Sequence, residues 1–262
     1  MLKVKDICGA IEAFAPLALQ ENYDNAGLQV GNPEAPVTAV LLCLDVTEET
    51  LREAKARSCN LIVSHHPLIF KGLKSLTGAD QTQRIVMEAL KSGISIYSAH
   101  TNLDSTVEGV SYEMAHLLNL KELKVLIPSD INPEIGLGIV GRYENPVPQL
   151  EFLRKVKETF GVKAMRYSAQ TQHLVVRTVA LCGGSGASFI ADALRCGADA
   201  YISGDFKYHD YTTYGLDILL ADIGHHESEL CSRRILSRII RESYPDCVTY
   251  FAESETNPIK IL

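Results

Sequence analysis

One stretch of the chain returns in the second half. Shifted by 139 residues, VLLCLDVTEETLREAKARSCNLIVSHH (40–66) lies over VALCGGSGASFIADALRCGADAYISGD (179–205) without a gap. Val40 meets Val179, Cys43 meets Cys182, Ala54 meets Ala193 and Ser64 meets Ser203. Each copy runs from an apolar segment of strand length, through a helix-length amphipathic segment, to a second apolar segment, which is the pattern of a β-α-β unit. Two such units predict a duplicated α/β core. The equivalent strand ends carry His65 and His66 in one copy and Gly204 and Asp205 in the other, and ligands in open α/β sheets favour such ends.

Around the repeat, residues 3–14 read as a helix and ENYDNAGLQVGNPEAP (21–36) as a loop. Thr47 caps EETLREAKARS, Pro67 ends LIVSHHP, and TQRIVMEALKSG reads as a helix closed by Gly93. ISIYSAHTNLD reads as a further strand with its exit loop. The proline-rich stretch IPSDINPEIGLGIVGRYENPVPQ (127–149) precedes the second copy. The chain therefore divides into lobes 1–126 and 127–262, with SHHP and HTNLD in the first and GDFKYH and GHHESE in the second.

Of 262 residues, 46% are hydrophobic and 22% charged, as in ordinary globular proteins. A formal charge of -7 with no lysine/arginine run argues against nucleic-acid binding, which needs a basic face. Seven scattered cysteines without a C-x-x-C pair read as reduced thiols of a cytoplasmic protein. No apolar run reaches the ~18 residues of a membrane span, and no signal peptide is expected.

The chemistry gathers at strand exits. An adjacent histidine pair alone could be a solvated loop tip, but the chain has two, His65 with His66 and His225 with His226, each after a strand-like run. GHHESELCSRRILSRIIRES reads as one helix, on which His225 and Glu229, four apart, share a face; His226 is not excluded. His100 and Asp104 leave another strand, although Asp104 could equally cap a helix starting near Val107. The set His65, His66, Asp104, His225 and Glu229 suits zinc, iron, manganese, cobalt or nickel. Five ligands exceed what one catalytic ion needs, so two divalent ions sharing a bridging carboxylate are expected. Asp205, Lys207 and His209 in SGDFKYHD could position an anion or move protons, or form a polar turn into a helix. CGGSG (182–186) reads as a tight strand-to-helix turn.

YDNAGLQVG, SHHP, HTNLD, CGGSG, GDFKYH and GHHESE together, spanning residues 21–257, resemble the GTP cyclohydrolase I type 2 homologs, the Nif-three-like dinuclear-metal family. The resemblance implies an α/β fold of two intertwined, pseudo-duplicated lobes, with mixed sheets flanked by helices, and a toroidal homohexamer. It implies one ion on His66 and Asp104, another on His65 and His225, and Glu229 as the bridge, with the metal site between the lobes. It places His100, Asp205, Lys207 and His209 along the same cavity as catalytic groups. Tyr23 stands where the family has tryptophan, and too few residues separate VLIPSD from VALCGG for the middle domain that some members insert.

The expected activity is metal-assisted hydrolysis of a small anionic or nucleotide-like substrate, held by Lys207 or Arg142. The family name implies opening of the GTP imidazole ring. The competing reading is a metal-stabilised oligomeric scaffold or partner-binding protein without turnover.

Overall fold

The computed structural model describes residues 1–130, 132–168 and 174–262, as two compact units. The first contains residues 1–106 and 232–256, and the second contains 107–231 and 257–262. The division thus falls after Thr106 rather than after 126, because the helix beginning at Val110 packs on strands of the second unit.

The first unit begins with α1 (Val4–Phe14), whose Val4, Ile7, Cys8 and Ile11 are buried at helical spacing. It continues with β1 (Gly27–Val30), β2 (Val40–Cys43), α2 (Glu48–Ala56), β3 (Leu61–Ser64), α3 (Gln81–Lys91), β4 (Ser95–Ser98) and α4 (Thr101–Ser105). Thr47 Oγ1 accepts from Thr50 N at 3.1 Å to start α2, and Gly93, at a φ of 66°, follows the end of α3. The sheet order is β1-β4-β3-β2-β11, in which β2, β3 and β4 are parallel and buried throughout. That explains why they show no alternating polar face, since parallel strands are covered on both faces. Residues 21–36 are not all loop. β1 lies within them as an antiparallel edge strand, too short for a sequence pattern and bracketed by Gly27 and Gly31 at positive φ.

The second unit contains α5 (Val110–Leu117), β5 (Lys121–Pro128), β6 (Gly136–Pro148), α6 (Gln149–Thr159), β7 (Arg166–Tyr167), β8 (Val175–Ser185), α7 (Ile190–Arg195), β9 (Ala200–Gly204), α8 (Tyr208–Tyr214), β10 (Leu219–Asp222) and α9 (His225–Glu229). Its sheet order is β5-β6-β8-β9-β10-β7. The proline-rich stretch is largely β6, a long antiparallel neighbour of β5 and β8, with its prolines near one end. The chain then returns to the first unit as α10 (Ser232–Ser243) and β11 (Thr249–Phe251). The single helix read from GHHESE onward is therefore two, separated at residues 230–231, where the chain passes from one unit to the other.

The duplication holds in register over the first three residue pairs of the strands, after which a shift in β8 sets Ser185 opposite Gly204. Val40 pairs with Leu61 and Leu41 with Ile62; 139 positions on, Val179 pairs with Ala200 and Ala180 with Tyr201. Leu41, Cys43, Leu51, Ala54, Cys59 and Ile62 belong to one core cluster. Their counterparts Ala180, Cys182, Ile190, Ala193, Ala198 and Tyr201 all belong to the other. Each β-α-β unit continues into a third parallel strand, β4 or β10, which carries an antiparallel edge strand, β1 or β7, and leads into a five-residue helix, α4 or α9. The copies part company beyond the first strand, where β2 meets parallel β11 but β8 meets antiparallel β6.

Candidate metal centre

In the first unit, His65 and His66 directly follow β3 but remain laced to the neighbouring strand: His65 N donates to Cys43 O at 3.1 Å and His66 N to Leu44 O at 2.9 Å. His65 is wholly buried. Its ring lies 5.2 Å from that of His66 and 5.3 Å from that of His100, and His66 and His100 are 5.5 Å apart. One ligand atom from each of the three lies within 4.8 Å of the others. Asp104 Oδ1 is 3.7 Å from His65 Nε2. Asp104 lies inside α4 and caps no helix at Val107, since α5 starts three residues later.

The outer nitrogen of each ring fixes its tautomer. His65 Nδ1 donates to Ala99 O, His66 Nδ1 to Asp45 Oδ1 and His100 Nδ1 to Asp24 Oδ1, each at 2.8 Å. A carbonyl or carboxylate oxygen can only accept, so each neutral ring keeps its lone pair on Nε2, the atom a metal takes. The acceptors are themselves held. Glu255, on the segment that returns to this unit, accepts from Leu44 N at 2.6 Å and Asp45 N at 2.8 Å, and pairs with Arg233 at 2.9 Å. Burial would raise the Asp24 carboxyl, but bonds from His100, Thr101 and the Asn25 backbone outweigh it and hold that group well below the usual carboxylate range.

In the second unit, His225 Nε2 lies 3.0 Å from Glu229 Oε2, one turn along α9, and its Nδ1 donates to Asp205 Oδ2 at 2.8 Å. Glu229 is 3% exposed. CGGSG proves to be its cradle. A Cβ on Gly184, whose φ is 66°, would stand 2.1 Å from Glu229 Oε1, and Gly184 N donates to Ser228 Oγ at 2.9 Å. Only glycine lets the backbone pass so close to this carboxylate. By sequence these glycines read as a turn, and nothing in their local pattern points to a partner 45 residues away. Glu227 is engaged elsewhere, accepting from Asn257 Nδ2 at 2.9 Å.

Asp205 sits at a φ of 63° just after β9, the position equivalent to His66. Lys207 and His209 are exposed at the start of α8, where Lys207 N donates to Asp210 Oδ2 at 2.7 Å and the His209 ring lies 5.4 Å from Tyr208. Among the described residues, neither joins a cluster of donor atoms. Arg142, on β6, pairs with Glu122. Tyr23 stacks 6.3 Å from Phe70, which in turn lies 6.3 Å from His100.

Two units ending equivalent strands and short helices in histidine and carboxylate groups are a pattern that can be compared with known proteins. The family model of Duf34/NIF3 (NGG1p interacting factor 3) matches residues 2–258. The chain belongs to this family. Among its relatives, the GTP cyclohydrolase 1 type 2 homolog of Clostridium perfringens is 36% identical over 257 residues, covering 97% of both chains. That of Lactococcus lactis subsp. lactis is 36% identical over 263 residues, covering 98% of both. The solved Bacillus cereus protein related to NIF3 shares the fold, with a TM-score of 0.89 at 24% identity over 100% of this chain and 99% of that one. No helix among the described residues of this Duf34/NIF3 protein is long and apolar enough to cross a membrane.

The donor set fits divalent transition ions. Its imidazoles present Nε2 lone pairs, and its carboxylates are hard oxygen donors, one of them seated in a glycine cradle.

Proposed function

We propose that this Duf34/NIF3 protein is a cytoplasmic metal-dependent hydrolase using two divalent ions of the zinc, iron, manganese, cobalt or nickel kind. His66 and Asp104 would hold one ion and His65 and His225 the other, with Glu229 as a ligand to both. The observation that supports this reading most is that His65, His66 and His225 each bond an oxygen through Nδ1, while a carboxylate oxygen stands 3.7 Å from Nε2 of His65 and 3.0 Å from that of His225. Such a pair of ions supplies Lewis acidity that activates water at neutral pH.

The protein's own residues do the rest. Asp45 and Asp205 fix the rings of His66 and His225. Asp24, kept ionised, holds His100 so that its Nε2 can take a proton and the resulting imidazolium is stabilised, the division of labour of an aspartate–histidine pair in hydrolases. Lys207, which follows Asp205 and Phe206 into α8, and His209, in the first turn of that helix, meet the anionic part of the substrate. The names of the relatives suggest a nucleotide such as GTP, and a toroidal homohexamer is the assembly proposed with it.

The test is to load the protein with each metal in turn, measure ions bound per chain, and follow formate release from GTP. Two ions per chain with metal-dependent turnover supports the reading. Two ions without turnover on GTP or other nucleotides points to the scaffold, and no bound transition metal refutes both.

A further inference from the structure

The solvent face of α10 carries three arginines that pair with none of the described residues. Arg234, Arg238 and Arg241 are all exposed, and among the described residues none makes an ion pair or hydrogen bond through its side chain. Their neighbour Arg233, by contrast, is tied to Glu255. At 100° and 1.5 Å per residue, the three fall within an arc of about 60° and span about 10 Å. Like charges at these spacings repel along a helix, so the stripe works against the helix that bears it unless an anion neutralises it.

With Ser237, Glu242 and Phe251 the arginines line an open groove of about 400 Å³. Phe251 is 44% exposed on β11, an edge strand of the first sheet, with the Arg233 guanidinium 5.7 Å from its ring centroid. The formal charge of -7 argues against a basic molecule, but it averages over the whole surface and does not describe this face.

We propose that the Arg234–Arg238–Arg241 face of α10 binds a single strand of nucleic acid, with phosphates on the guanidinium groups and a base against Phe251. Guanidinium forks match phosphate oxygens in a bidentate way, and an exposed aromatic ring beside them offers a base a stacking surface that an acidic peptide would not use. The groove is open, so it suits an extended chain better than a small anion, which would need enclosing walls.

Fluorescence anisotropy with a labelled single-stranded RNA of about 12 nucleotides, a length within the site sizes of such proteins, tests this on the full chain. Between roughly 50 and 200 mM salt, three phosphate contacts give a log–log slope of affinity near about −2. The R234A/R238A/R241A variant should flatten that slope towards zero. Phe251→Ala should weaken binding about tenfold and leave the slope unchanged. All four side chains lie on the surface, and a thermal melt with metal content of each variant verifies the fold; arginine-to-glutamine versions serve if the alanine protein is unstable. No binding at the lowest salt, or an unchanged slope in the triple variant, overturns the proposal. So does displacement of the strand by polyglutamate or tripolyphosphate at matched charge, which would assign the face to an acidic partner or a free oligophosphate.

Discussion

Glu229 and Glu227 are two residues apart on one short helix, yet their environments differ completely. Glu229 is buried against Gly184 and His225, and Glu227 is bonded to Asn257. If Glu229 bridges two ions, Glu229→Gln weakens both together by more than the ~10–100-fold typical of groups behind a ligand. Glu227→Gln should leave metal affinity in place, which calorimetric titration of the two variants compares directly. Gly184→Ala tests the cradle. The new methyl should push the carboxylate aside and lower metal affinity, while Gly197→Ala, at a φ of 71° with nothing within 4 Å, should cost only the ~1–2 kcal/mol of left-handed backbone and keep the metals. His100→Ala is expected to slow turnover by about 10²–10⁴-fold with metal content retained. Loss of an ion instead would make His100 a ligand. His225 with Glu229 was legible from sequence because helical spacing alone puts them on one face. The roles of Asp24, Asp45 and Gly184 were not, because each acts on a partner far along the chain and no local period encodes that.

At the scale of elements, the repeat carried most of the information. The register of the first three residue pairs of the strands, the core faces and the equivalence of the exits after β3 and β9 all followed from one 139-residue shift. The missed elements were those without a period of their own: four-residue β1, and β6 with prolines and glycines along it. The break between α9 and α10 also escaped, since the apolar spacing runs on through residues 230–231 while the chain changes unit. That return has a consequence for the metal centre. It brings Glu255 to the backbone of Leu44 and Asp45, so Glu255→Ala should loosen Asp45 and, through it, His66. Metal affinity should fall by about 10–100-fold, the range for a group that orients a ligand, without a change in secondary structure by circular dichroism.

For the molecule as a whole, the thiols give a simple check on the packing of both cores. Cys8, Cys43, Cys59, Cys182 and Cys231 are buried and Cys196 is exposed. Burial pushes Cys8 up to about 12 and Cys59 to about 11, so these groups remain protonated at neutral pH and unreactive. A thiol reagent should therefore label Cys196 promptly in the native protein and the five buried thiols only on unfolding; their prompt labelling would show that the cores open readily. Sedimentation should give six times the 28.8 kDa chain mass if the toroidal assembly forms. Anomalous diffraction from crystals of the zinc- or manganese-loaded protein shows whether two ions are shared by the five side chains. Two peaks per chain about 3.5–4 Å apart are expected, one against His66 and Asp104, the other against His65 and His225, with Glu229 reaching both. A single peak, or a pair of peaks that Glu229 does not touch, would contradict this arrangement.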